Sequence, residues 1–421
     1  MITELAVYYC GWGERWHWGT LRLIDSFFNR PEIVFEYSDE ATSRGVELSA
    51  LRLPVDGPKL RRNFLTHQLG LPGPVYDSLP DGWGLLLMDR YFKRKGRNPV
   101  EVSPLERLTF VGDDAMGAMC YVPQSEDLQL LHEEISLDAL SAQVQPIIED
   151  TEDAVLTQFL QLGGSPQGAR PKALLYRSID GKTFRTAYAP GFGGWIVKFQ
   201  AANEHSEVSA IEALYAQLMR KCKIEVSEFE YFKLKNDATA FGMKRFDRTD
   251  NNLRIPMQSL ASFTGADFRT SGSLDYAQFL RATWACTRNA EEWLRAFKQI
   301  VFNVVFNNRD DHPKNFSYLM SADGHWSLSP AYDVTFSEGP AGYHQMDVMG
   351  EALHISKKSL LDLALHEAQF DSDVAFAVID RTTEVALQFM QHANTYYQGE
   401  IRPATLREIQ KRIDENLKAL G

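Results

Sequence analysis

The sequence predicts an α+β chain: a small strand-rich N-terminal part, then a mixed sheet, then a mainly helical C-terminal part. Three observations predict it. Residues 1–123 are rich in aromatic residues, and turn signals separate short strand-like runs. From Ala169 to Phe246, apolar runs alternate with Gly-containing breaks. Beyond Trp293, apolar residues recur at helical spacing.

Tyr8 to Trp18 mixes Tyr, Trp and Gly in a hairpin-like pattern, and Ile33 to Tyr37 reads as a strand ending in Ser38-Asp39-Glu40. Leu79-Pro80-Asp81-Gly82 is a turn signal. The helix expected over Leu85 to Arg94 closes on Lys93, Arg94, Lys95 and Arg97. That cluster is either a solvated helix end or a contact for an acidic or nucleic-acid partner. Ser125 to Asp153 is acidic and polar, with helical patches around Leu128 and Leu140. It divides the chain into an N-terminal subdomain (1–123), a connecting segment (124–150) and a second domain (151–421).

In the second domain, Ala169 to Arg177 and Trp195 to Phe199 read as strands, followed by a helix carrying Val208, Ile211, Tyr215, Leu218 and Met219. Phe229 to Leu234 and Ala240 to Phe246 read as strands joined at Asn236-Asp237. Trp293, Phe297, Ile300, Val301, Val304 and Val305 form a helical stripe, as do Leu406, Ile409, Ile413, Leu417 and Leu420. Such stripes are packing faces.

The 421 residues suit two or three domains at roughly 100–200 residues each. With 44% hydrophobic and 24% charged residues, the chain is not disordered, collagen-like or a disulfide scaffold. A net charge of −12 argues against wrapping nucleic acid through the overall field. Cys10, Cys120, Cys222 and Cys286 lie far apart with no CxxC, so the expectation is neither a disulfide framework nor a zinc site, and a reducing cytoplasm. Glu4 stands where a secretory leader needs positive charge, and Leu85-Leu86-Leu87-Met88 is too short to span a membrane.

The chemistry concentrates in Asn307-Asn308-Arg309-Asp310-Asp311-His312-Pro313-Lys314-Asn315, between an apolar helix and an expected strand. A polar surface loop would also use Asn, Asp and Pro. Spacing favours more. Phosphoryl transfer from ATP needs a carboxylate near the acceptor hydroxyl and oxygen ligands for Mg²⁺. Asp310 and Asn315 are five apart, and Asp333 lies 18 beyond Asn315 in Tyr332-Asp333-Val334. A hairpin of Phe316–Met320 and His325–Leu328, turning at Asp323-Gly324, would return Asn315 and Asp333 to one end.

Such an enzyme also needs a strand Lys on the phosphates and a helix Glu to orient it. Lys198 lies inside the apolar run Trp195 to Phe199, where a buried ammonium is costly unless paired. Glu212 is the natural partner and Glu207 the runner-up. Gly163-Gly164-Ser165-Pro166-Gln167-Gly168-Ala169-Arg170-Pro171-Lys172 is a Gly-rich turn able to cradle phosphate, without the Gly-Lys-Ser/Thr of a Walker loop. The order of these signals predicts an ATP-dependent phosphotransferase of kinase-like fold.

The same residues resemble the HipA family of serine/threonine kinases, toxins of bacterial toxin–antitoxin systems. Ser78 to Gly84, Gly112 to Ala118, Gly164 to Lys172, Val197-Lys198-Phe199, Lys244 to Arg248, Asp310 to Asn315, Pro330 to Asp333 and Gly342 to Met346 carry the resemblance. It implies Asp310 as catalytic base, Asn315 and Asp333 as Mg²⁺ ligands, and Lys198 on the ATP phosphate, with Glu212 beside it. It implies Gln167, Gly168, Ala169, Arg170, Pro171 and Lys172 as the loop over the phosphates. Lys244, Arg245 and Phe246 would meet the adenine through main chain, and Asp247 would lie near the ribose. His312, Pro313, Lys314, Asn315, Tyr332 and Asp333 would line the nucleotide, and Ser165 would be autophosphorylated. The substrates it implies are aminoacyl-tRNA synthetases, and the partner a HipB-like helix-turn-helix antitoxin through which DNA is contacted. Two other readings stay open: a metal-dependent phosphohydrolase using Asp310, Asp311 and His312, and a kinase-like regulator that binds a partner and transfers nothing.

Overall fold

The computed structural model describes residues 2–25, 31–125, 133–149, 159–160, 168–201 and 204–421. The chain forms two compact units. The first comprises residues 1–204, 232–258 and 319–324, and the second residues 205–231, 259–318 and 325–421. Among the described residues, no helix is long and apolar enough to cross a membrane.

The first unit holds two sheets. Strands β1 (Glu4–Tyr9), β2 (Trp16–Asp25), β3 (Pro31–Tyr37), β4 (Leu60–Arg61) and β5 (Met119–Val122) pair in the order β4-β3-β2-β1-β5. β1 and β2 form the expected antiparallel hairpin, with Glu4 opposite Arg22. Alternate residues turn inward as a half-buried strand requires, so Leu5, Val7, Trp18, Leu21 and Phe35 are fully buried. The second sheet uses β6 (Glu134–Ile135), β7 (Lys172–Ser178), β8 (Phe184–Arg185), β9 (Phe192–Phe199), β10 (Phe229–Lys233) and β11 (Thr239–Lys244), in the order β10-β11-β9-β7-β8-β6.

One cysteine expectation is overturned. Cys10 and Cys120 are joined by a disulfide across a sequence separation of 110. The pairing of β1 with β5 sets Tyr8 opposite Cys120, and the Cys10 N–H donates to the Ala118 carbonyl at 2.7 Å. Spacing along the chain carries no trace of that register. Cys222 and Cys286 are free thiols.

The expected turn at Leu79 to Gly82 is present and leads into a helix, Gly82–Arg94. Here Trp83 N–H donates to the Gly168 carbonyl at 3.0 Å, and Gly168 N–H donates to the Asp81 carboxylate. A side chain on Gly82 would start 2.6 Å from the Gly168 oxygen, so only glycine fits there. Of the basic cluster that follows, Arg97 is paired with Glu106 and Lys95 lies over the Tyr91 ring.

The second unit is mainly helical. Its principal helices are Glu207–Lys221, Tyr276–Thr287, Ala290–Val305, Ser372–Leu387, Phe389–Tyr397 and Pro403–Leu420. The stripes foreseen in the sequence are core: Phe297, Ile300, Val301 and Val305 are fully buried, as are Ile409 and Ile413. Helix Tyr276–Thr287 starts on a capping box, Asp275 with Gln278. Helix Ala290–Val305 starts on Asn289, whose side chain accepts from Glu291 N–H, and has Glu291 and Glu292 in its first turn. Asn307, in a left-handed conformation with φ 54°, follows that helix and turns the chain into the polar stretch.

Candidate active site

The polar stretch is not a surface loop. Asn307, Asn308 and Asp311 are at most 1% exposed, and Arg309, Lys314 and Asn315 are also buried. Burial on this scale demands partners, and the chain supplies many of them, while Asn308 Oδ1, Arg309 Nε and His312 Nδ1 have none among the described residues. Ser337 N–H donates to the Asn307 carbonyl at 3.1 Å, and Arg309 N–H to the Ser337 carbonyl at 3.2 Å. Asn307 Nδ2 donates to the same Ser337 carbonyl at 3.0 Å. Asn308 Nδ2 donates to Asn303 Oδ1 at 2.9 Å, and Asn303 Nδ2 to the Tyr276 hydroxyl at 3.1 Å.

Asp311 is the anchor. Its Oδ2 accepts from the Tyr276 hydroxyl at 2.5 Å and from His344 Nδ1 at 2.7 Å. Its Oδ1 accepts from Gln345 N–H at 2.7 Å. Burial, reinforced by the Asp311 charge, pushes the Tyr276 hydroxyl well above its ordinary value, so it stays a donor.

Asp310 faces the other way and is exposed. Its Oδ1 accepts from Gln345 Nε2 at 2.7 Å, with His312 Nε2 at 3.9 Å. Partial burial pushes its carboxyl up from the ordinary value. The charges of Asp333 and Asp311 push the same way, and His312 and the Gln345 hydrogen bond pull back. Asn315 Nδ2 donates to the Asp310 carbonyl at 2.8 Å, which leaves Oδ1 as the unspent end of that amide.

Asp333 approaches from the strand pair foreseen in the sequence, Ser317–Met320 and Trp326–Leu328. Ser329 N–H donates to the Ser317 carbonyl at 2.8 Å, and Tyr332 Oη lies 2.7 Å from both Ser317 Oγ and the Lys314 carbonyl. Ala331 N–H donates to the Glu225 carbonyl at 2.8 Å. Asp333 itself is left-handed, φ 55°, a conformation that costs a non-glycine residue about 1–3 kcal/mol and concentrates at functional sites. Asn315 thus lies against Asp310, the charge of Asp333 acts on the Asp310 carboxyl, and all three belong to the second unit. An amide oxygen and a carboxylate are the hard ligands Mg²⁺ takes. His312 and Lys314 flank Phe268: the His312 ring lies 5.5 Å from it and Lys314 Nζ 4.5 Å.

The first unit carries the cationic residues. Lys172 on β7 and Lys198 on β9 are direct cross-strand partners, so both side chains leave the same face of the sheet. Two like charges in that relation repel. The approach to Lys172 is fixed: Arg170 pairs with Glu204 at 3.2 Å, and Phe199 N–H donates to the Pro171 carbonyl at 2.8 Å. Ser165 and Gln167, with the rest of 163–167, lie outside the described residues.

Five of the residues named from the sequence are placed as follows. Asp247 is fully buried and accepts from Arg245 (2.8 Å to each oxygen), Arg248 (2.7 Å) and Gly117 N–H (2.8 Å). Its carboxylate is spent on holding Gly117, not presented to a ribose. Arg245 is buried against it, and Arg245 N–H donates to the Gly194 carbonyl at 2.8 Å. Glu207 is spent on Arg402 and Thr405 (2.9 Å to Thr405), which removes the runner-up partner for Lys198. Lys244 is half-buried and pairs with Asp250 at 2.6 Å, and Glu212 is buried on helix Glu207–Lys221. The sequence reading passed over the roles of Asp311, Tyr276, His344 and Gln345. The only signal was Gly342 to Met346, a motif without an assigned task.

The family model of the HipA N-terminal domain matches residues 12–122, and that of the HipA-like C-terminal domain matches residues 164–394. Among solved structures, the chain is similar to Shewanella oneidensis MR-1 HipA, solved in complex with HipB and operator DNA. Identity is 17%, coverage 99% of this chain and 97% of that one, and the TM-score 0.71. A Helicobacter pylori proinflammatory kinase, CtkA, matches 54% of this chain and 88% of its own at 11% identity, with a TM-score of 0.37.

Proposed function

The chain belongs to the HipA family, and on that premise we propose that it is an ATP-dependent serine/threonine protein kinase acting as a growth-arrest toxin. What supports this reading is Asn315 bonded to the Asp310 main chain, with the Asp333 charge acting on the Asp310 carboxyl. Asp310 would take the proton of the acceptor hydroxyl as it attacks the γ-phosphoryl group and ADP leaves. Asn315 Oδ1 and Asp333 would hold Mg²⁺, which offsets charge on the phosphates. Lys198 and Lys172 would bind phosphate. Residues 168–171 would cover it, and His312, Pro313, Lys314 and Tyr332 would line the nucleotide. Lys244 to Phe246 would offer main chain to the adenine. The division into residues 1–123, 124–150 and 151–421 belongs to the same reading.

The phosphohydrolase reading needs Asp310, Asp311 and His312 around one metal. Asp311 is instead buried and satisfied by Tyr276, His344 and Gln345. Among the described residues, no group of three or more His, Cys, Asp and Glu could hold a metal ion. Ser165 would be the autophosphorylation site, an added charge of about −2 being incompatible with the phosphates of ATP. An aminoacyl-tRNA synthetase would be the external acceptor. The Shewanella relative was solved with HipB and operator DNA. A HipB-like antitoxin would carry the DNA contact here too, in keeping with a net charge of −12.

The test is intact mass after incubation with Mg²⁺ and ATP, beside Asp310→Asn and Ser165→Ala. One phosphoryl group gained by the wild type and by neither variant supports the reading. No gain by a wild type shown to start unphosphorylated moves the chain to the non-catalytic regulator.

A further inference from the structure

Gln345 is held twice by neighbouring aspartates. Its backbone N–H donates to Asp311 Oδ1 and its side-chain Nε2 to Asp310 Oδ1, each at 2.7 Å. The two acceptors differ in kind: Asp311 is fully buried and Asp310 is exposed. Among the described residues, Oδ2 of Asp310 has no hydrogen bond, so one oxygen is clamped and the other is presented.

The segment that carries Gln345 is itself fixed along its length. Ser337 is bound to Asn307 and Arg309 through main chain. Gly339 lies so close to Arg309 that an added Cβ would start 2.6 Å from the Arg309 Cβ, and Arg309 donates to the Gly342 carbonyl. His344 is latched to Asp311. Gly272 N–H donates to the Gln345 carbonyl at 2.9 Å, and Tyr276 N–H to the Asp347 carbonyl at 3.0 Å. A side-chain amide carried on so many fixed points is preorganised, with little freedom left to lose when it orients a carboxylate.

We propose that Gln345 is the positioning residue of Asp310: it holds Oδ1 so that Oδ2 points at the acceptor hydroxyl, and the segment from Ser337 to Asp347 sets the geometry of the base. This rests on the phosphotransfer reading above. It assigns Asp311, Tyr276 and His344 the task of fixing the Gln345 backbone rather than touching substrate. A protein or ligand that displaced this segment would switch off transfer without competing with ATP.

The test follows initial rates of phosphoryl uptake by the full chain against ATP concentration, for wild type, Gln345→Met and Gln345→Glu, with thermal midpoints alongside. Met keeps the length and leaves the backbone bond to Asp311, but lacks the donor. Glu puts a like charge against Asp310. The expected result is kcat lowered roughly ten- to a hundredfold in Gln345→Met, the worth of a hydrogen bond to a charged group. Gln345→Glu should fall further, with KM for ATP and the midpoint unchanged in both. Gln345→Met with wild-type kcat overturns the proposal while leaving the phosphotransfer reading standing. So does a loss of rate that tracks a lowered midpoint equally in the two variants. A wild type that takes up no phosphoryl group overturns that reading and the proposal together.

Discussion

Asp247→Asn separates a structural role from a nucleotide-binding one. In the wild type, Oδ2 alone accepts from Arg245, Arg248 and Gly117, while Oδ1 accepts from Arg245. An Asn amide turns an NH₂ donor toward guanidinium donors and removes a negative charge in direct contact with two buried cations. Breaking a buried ion pair by removing one partner costs about 3–5 kcal/mol. In a unit of this size, each kcal/mol moves the unfolding midpoint by roughly 2–4 °C. The variant should therefore melt roughly 6–20 °C below the wild type in scanning calorimetry. The pH dependence carries the same signature. Burial alone would raise the Asp247 carboxyl, but Arg245 and Arg248 outweigh it and hold the group well below the usual carboxylate range. A depressed folded value contributes stability that is fully present above the unfolded value, about 3.9. That stability is lost as pH falls through the folded value. The gap between wild type and variant should hold constant from neutral pH down to about 5 and narrow below about 4. Equal midpoints at neutral pH, with weakened nucleotide binding in the variant, would refute the staple and return Asp247 to the ribose.

Three further outcomes follow from the first unit and the thiols. Gly82→Ala places a Cβ 2.6 Å from the Gly168 oxygen at a residue with φ +42°, so it should destabilise the first unit by roughly 1–3 kcal/mol in denaturant titration. A neutral effect would mean that the Asp81 to Trp83 turn does not grip Gly168. Reducing the Cys10–Cys120 bridge, which spans 110 positions, should lower stability by roughly 2–4 kcal/mol. Before reduction, the native chain should resist thiol reagents at pH 8, because burial pushes the Cys222 thiol up to about 12 and raises Cys286 as well. Rapid labelling of either residue in the native state would contradict that burial.

What the sequence disclosed is what short-range periodicity and spacing can encode. Strand patterning exposed β3 and β9, and the 3.6-residue period exposed the helices carrying Ile300 and Ile409. The Asp310, Asn315 and Asp333 spacing was legible because a single hairpin, closed by Ser329 on Ser317, joins its two ends. The staple was not, because Asp247 meets Gly117 across 130 positions. Nothing local distinguishes a carboxylate destined for two arginines from one destined for solvent. Cys10 and Cys120 were missed for the same reason, since strand order in a sheet decides who is opposite whom.

Asp310 and Asp311 show where spacing stops being informative. They are chemically identical neighbours; spacing to Asn315 singled out Asp310 as the base, and Asp311 entered only as a metal ligand in the phosphohydrolase reading. The difference is direction: one goes in and one goes out. The inward one must then be fully satisfied, because a buried carboxylate without donors costs several kcal/mol. Tyr276, His344 and Gln345 N–H meet that demand, drawn from two distant segments. Satisfying Asp311 thereby brings Gln345 beside Asp310, and the outward carboxylate gains an orienting donor as a consequence of the inward one's burial. Polarity inside the core and reactivity outside it are here one network, and the residue that joins them lies 35 positions from the aspartate it orients.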